Sequence, residues 1–194
     1  HEYLMVEYLM NDEEMEQSFR LKLNDAGADI SELKAGIRFS TSDIGASKVY
    51  ASVFYDADGV RTTCNSGIAL EHKGEASPQL YAESCKQLGM VFKESEELIE
   101  KLGNMNISDV AGVVQEIREN YSIFPKGISE KVEAELRIQY PGGGTAIDVY
   151  LALNDIIQRY SEENKISPTR YLNQSEQVAK LMHLPFERID QGEE

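Results

Sequence analysis

Apolar positions along the first third of the chain change period once. Met15, Phe19 and Leu23 recur every fourth residue, and Asn11 or Asp12 can cap the helix that this spacing predicts over 11–26. The acids Asp12, Glu13 and Glu14 suit its positive amino end, and Gly27 closes it. From residue 36 the period shortens. Val49, Ala51, Val53 and Tyr55 alternate with Tyr50, Ser52 and Phe54, which predicts a strand apolar on both faces and covered on both. Turn residues at Asp56-Ala57-Asp58-Gly59 and Asn65-Ser66-Gly67 separate it from a returning strand over 60–64 and a third over 68–72. Connections this short exclude parallel crossovers, so an antiparallel meander is expected and a doubly wound nucleotide-binding sheet is not.

Past Gly74 the period returns to that of a helix. Tyr81, Cys85, Leu88, Phe92, Ser95, Ile99 and Leu102 form one seam, closed by Gly103-Asn104. Val110, Val114, Ile117 and Tyr121 predict a second helix with Asn106 or Ser108 as cap, able to pair with the first as an antiparallel hairpin. Pro125-Lys126-Gly127 and Pro141-Gly142-Gly143-Gly144 bracket a third helix near 129–139. Thr145 caps a fourth, with Ile147, Tyr150, Leu151, Ile157 and Tyr160 as its apolar stripe and an Asp155–Arg159 pair on another face. Ser167-Pro168 opens the last stretch, which holds a short helix around 174–183. The fold class read from this order is α+β, with an antiparallel meander over about 36–73 packed against a mainly helical C-terminal half. One domain over 1–194 is expected, made of a helical segment 1–35, the meander 36–75, a helical region 76–185 and a tail 186–194.

Charge sharpens the picture. The chain of 194 residues carries 34 acids and 19 bases, a formal net charge of −15. Residues 36–75, with five acids and four bases, are nearly neutral. A field this negative argues against nonspecific duplex DNA binding, unless a local basic surface of Arg38, Lys48, Arg61 and Lys73 overrides it. Two cysteines, Cys64 and Cys85, are too few for a disulfide framework or a four-cysteine zinc site, which points to a reduced, cytoplasmic setting. No apolar run reaches the length of a membrane helix, so no membrane partner is expected. The chain opens on His1, as a tag remnant or a piece of a longer protein would. Oligomeric state is not readable from the pattern.

Candidate chemistry is sparse. The loops of the near-neutral segment concentrate Ser40, Thr41, Ser42, Asp43, Asn65 and His72, and with Arg38 and Arg61 these are the residues expected to meet a partner. Gly142, Gly143, Gly144 and Thr145 open a helix with bare main-chain donors, the physical recipe for a phosphate, but without the lysine of a Walker loop. Asp43, Glu71 and His72 could serve a catalytic site beside it. Asp56 and Asp58 fail as a calcium loop, because Val60 holds the next ligand position and Gly67 the twelfth. No metal or cofactor is called for.

Arg38-Phe39-Ser40-Thr41-Ser42-Asp43-Ile44-Gly45, the meander, the Cys64-Asn65-Ser66-Gly67 turn and the helix over 145–153 together resemble an uncharacterised phage- and plasmid-like protein family, a domain of unknown function, over roughly 36–185. The resemblance implies a mobile genetic element as the setting and carries over no functional residue. The expected function is a non-enzymatic accessory protein that binds a macromolecule, with a protein as the expected partner, such as a nucleic-acid-processing or defence protein. The rival reading is a phosphate-handling or nucleic-acid-modifying enzyme using the 142–145 loop.

Overall fold

A computed structural model describes residues 3–42, 48–63, 68–71, 78–121 and 129–192. It shows an α+β fold whose sheet is antiparallel throughout. Strands β1 (Tyr3–Leu9), β2 (Leu33–Ser42), β3 (Lys48–Ala57) and β4 (Val60–Thr63) lie in that order, and β5 (Ile68–Glu71) also pairs with β3. The first departure from expectation is β1, which stands where the segment 1–35 was read as helical. Its residues Tyr-Leu-Met-Val-Glu-Tyr-Leu hold one charge in seven and no helical period, and they register on β2 from Tyr3 opposite Ser42 to Leu9 opposite Gly36. The second departure is β5. Instead of extending the meander beyond β4, it pairs with residues 48–51 of β3. Four-residue β4 covers only residues 54–57 of ten-residue β3, which leaves room for β5 along residues 48–51.

Helix α1 (Glu13–Asp25) follows β1 directly, with the Asp12 carboxylate accepting from the Met15 N–H at 3.1 Å. Its apolar side lies on the sheet. Phe19 stacks on Tyr55 at 4.2 Å between ring centres, and Phe92 of α2 (Pro78–Gly103) meets Tyr55 edge-on at 5.9 Å. The buried seam of α2 runs through Val91, Ser95, Ile99 and Leu102. Asp109, rather than Asn106 or Ser108, caps α3 (Val110–Asn120), because its carboxylate reaches the Gly112 N–H at 2.9 Å. Among the described residues α3 packs on α4 (Ser129–Gln139) and α5 (Ala146–Asn164), so the expected hairpin with α2 gives way to a hairpin with α4.

The carboxyl end is more ordered than its polar sequence predicts. Ser167 caps α6 (Pro168–Lys180) with proline at its first position, which starts the helix well before 174. A 3₁₀ turn, Leu181–His183, leads into α7 (Phe186–Asp190), where a tail was expected. Phe186 is fully buried there, and the Asp190 carboxylate accepts from the Ser108 and Asp109 N–H groups at 2.7 and 3.0 Å. Burial alone would raise the Asp190 carboxyl, but those bonds win and hold it below its ordinary 3.8.

Candidate interaction surface

Two of the residues expected to meet a partner come together in one charged cluster, Arg38 buried and Arg61 half-buried. Arg38 and Glu7 are directly opposed on β2 and β1, Asp56 and Arg61 on β3 and β4, and all four side chains share one face of the sheet. Glu7 is the hinge of the cluster. It accepts from Arg38 Nε at 2.8 Å and from Arg61 Nη1 through its other oxygen, while Arg61 Nε also reaches Asp56 at 3.0 Å. Both guanidinium groups lie over the Phe54 ring, 5.3 and 4.8 Å from its centre. Tyr171 of α6 covers Arg38 at 5.7 Å.

This arrangement corrects the expected docking role of Arg38. Its side chain is 0% exposed, because β2 is an interior strand and α6 lies across that face. Ser40 is buried as well, at 5%. Two arginines against Glu7 and Asp56 leave no net charge for an anion. Desolvation lowers the Arg61 pKa, yet the Glu7 and Asp56 carboxylates outweigh it and keep the group raised. Burial also raises the Tyr171 hydroxyl and the Glu176 carboxyl beside the cluster. Arg38 Nη2 is buried without a hydrogen-bond partner among the described residues. The cluster therefore acts on structure: it ties β1 to β2 and β4.

What it holds in place is an edge, and the two long edges of the sheet are treated differently. Along β4, Arg61 N–H donates to Gln158 Oε1 at 2.8 Å and the Thr63 carbonyl accepts from Tyr150, so side chains of α5 close that edge. No such closure lies along β1 among the described residues. The helical layer also stops short of it. On the face carrying α1 and α2, Ala35, Val53 and Tyr55 are buried, whereas Val6, Ile37 and Phe39 are only half-buried and Tyr8 is 59% exposed. Tyr8 meets Phe39 edge-on at 6.0 Å, and Leu9, beside it in the chain, is 54% exposed. Sequence reasoning missed this margin because it read the segment as helix, although the run from Tyr3 to Leu9 was the available signal.

Of the other expected site residues, Thr41 and Ser42 close β2 and Glu71 closes β5. Asp43, Asn65 and His72 lie outside the described residues, as do Cys64, Ser66, Gly67, Lys73 and the Pro125-Lys126-Gly127 break. Cys85 lies within α2.

The Gly142–Thr145 loop is occupied by the protein itself. Gly144 and Thr145 form β7, paired with β6 (Asn106–Ile107). Gly143 N–H donates to the Tyr140 carbonyl at 3.3 Å, Ala146 N–H to Met105 at 3.0 Å, and Thr145 N–H to the Asp148 carboxylate at 2.7 Å. A phosphate would find the Gly143, Thr145 and Ala146 donors engaged and a carboxylate beside them. Burial and Asp148 together push the Tyr140 hydroxyl up to about 12. Gly143, at φ 84°, lies against the Ile107 carbonyl with no room for a methyl group. Gly143→Ala is expected to cost about 1–3 kcal/mol in a urea unfolding titration, and an unchanged midpoint would refute the tight packing of this loop.

A groove of about 600 Å³ between α3 and α7 is lined by Asp109, Glu116 and Asp190, of which Asp109 and Asp190 already bind main-chain N–H groups. Among the described residues no group of three or more histidine, cysteine, aspartate or glutamate side chains could hold a metal, and no helix is long and apolar enough to cross a membrane. No family model, curated protein or solved structure matches the chain.

Proposed function

We propose that the protein is a non-enzymatic binding module that docks a partner protein on the β1 margin of its sheet. One observation carries this reading: the fold closes the β4 edge with α5 side chains and leaves Val6, Tyr8, Leu9, Ile37 and Phe39 at the opposite margin without full cover. The occupant is a protein with a basic contact surface, because the net charge is −15 and the exposed acids Asp12, Glu13 and Glu14 follow β1 directly. A nucleic-acid-processing or defence protein, encountered in a phage or plasmid setting, fits that description. The engaged donors of the 142–145 loop leave the phosphate-handling alternative without a specific observation in its favour.

The test is a double substitution, Tyr8→Ser with Leu9→Ser, at exposed positions that leave the core intact. Partners are captured from the native host after nuclease treatment, and the captured protein is purified and titrated directly. Affinity is expected to fall about tenfold or more while the melting temperature stays within about 2 °C. Undiminished affinity, or capture that depends on nucleic acid, overturns the reading.

A further inference from the structure

We propose that the partner enters as an added strand, an extended segment flanked by lysine or arginine that pairs main chain to main chain with β1. This inference rests on the docking reading above and gives it a geometry. Met10 N–H donates at 2.8 Å to the carbonyl of Ala35, the residue that the β1–β2 register places opposite it. Bonded and non-bonded pairs alternate in an antiparallel ladder, so Tyr8, Val6 and Leu4 turn their main-chain groups toward β2. Leu9, Glu7, Met5 and Tyr3 turn theirs outward. Ala35 fits the same alternation: its N–H, on the side of its carbonyl, donates to Glu16 Oε1 at 3.0 Å at the point where β1 has ended. A side chain thus closes the ladder where β1 runs out, just as Gln158 and Tyr150 close β4. The outward row of β1 has no equivalent among the described residues, and at about 3.3 Å per residue it is long enough for a short strand.

The chemistry of the occupant follows from charge. A second copy of this chain would bring another −15 against the first, whereas a basic segment is attracted. Glu13 and Glu14 are exposed and carry no ion pair among the described residues. An antiparallel segment would bring its amino-terminal end to Leu9 and these acids, so its lysines belong at that end. Its apolar side chains, at alternate positions, would extend the half-buried face of Val6, Tyr8, Ile37 and Phe39.

Proline at Met5 isolates the outward row. Met5 gives no N–H to β2, so Met5→Pro removes an outward donor and keeps the ladder, as proline does on edge strands whose N–H faces solvent. The probe is a nine-residue peptide alternating valine and threonine with two lysines at its amino end, compared with a twin carrying glutamates there. A third peptide, N-methylated at the residues facing β1, removes donors from the ligand and leaves the protein untouched. Titration calorimetry with the full chain is expected to show binding of the lysine peptide below about 1 mM. Affinity should drop about tenfold or more for Met5→Pro, for the glutamate twin and for the methylated peptide. No binding of the lysine peptide, or equal binding of the methylated one, overturns strand addition. Equal binding of the glutamate twin overturns the basic partner. If a captured partner depends on Tyr8 and Leu9 but ignores Met5→Pro, docking stands and strand addition falls.

Discussion

Glu7→Gln is expected to lower stability by about 3–5 kcal/mol, enough to reduce the melting temperature by roughly 10 °C. The substitution leaves the Arg38 guanidinium fully buried with the charge opposite it gone and only neutral acceptors beside it, the new amide oxygen and the Thr63 hydroxyl at 3.3 Å. Arg38→Met should cost far less, under about 1.5 kcal/mol, because it removes the buried charge together with the need to compensate it. Glu7 then keeps Arg61 as its partner, and its side chain, 25% exposed, keeps contact with water. The order of the two effects is the test. Urea unfolding in which Arg38→Met proves as damaging as Glu7→Gln would mean that packing on Phe54 and Tyr171, rather than charge, holds β1 to the sheet.

Phe186→Ala is expected to cost about 3–5 kcal/mol, the range for deleting a fully buried phenylalanine. The side chain is 0% exposed in a segment whose other residues are mostly charged or polar, so Phe186 is the main anchor of α7 in the core, beside half-buried Ile189 and the Asp190 bonds to Ser108 and Asp109. Chemical denaturation reads the loss, and proteolysis after Arg188 should accelerate in the variant. A cost below about 1 kcal/mol would show that 186–194 is the tail its composition predicts.

These two positions also mark where the sequence stops being legible. Two kinds of local signal place helices closely: α1 and α2 begin and end within a few residues of the seams that predict them, and α4 fills the span that the proline and glycine breaks leave for it, because period and punctuation are both local. The β3–β4 turn is readable for the same reason, since Asp58 and Gly59, at φ 49° and 89°, are turn formers wherever they stand. Arg38 was not. An arginine is counted as surface until a partner strand sets Glu7 opposite it and a helix from far along the chain covers it, and neither event leaves a local mark. β1 is a seven-residue segment of six apolar or aromatic residues around Glu7, ambiguous until β2 lies beside it. Phe186 is a single aromatic side chain, and one residue has no period. At the proposed docking margin, the apolar residues were visible in the sequence, but their exposure was decided by where the helical layer ends.

The cover over Arg38 has a consequence in time. Glu7, Arg38 and Arg61 are all synthesised within the first third of the chain, but Tyr171 follows about 130 residues after Arg38, which at about 5–20 residues per second is an interval of roughly 7–27 s. During that interval the nascent sheet can form with one face unroofed and its β1 edge open, the state in which neighbouring chains on a polysome most readily pair with each other. The acids of the first 35 residues, nine against three bases, emerge before any of the sheet is finished and set like charges between such neighbours. The negative charge that the proposed docking uses to attract a basic partner would, on this timescale, also set unfinished copies apart.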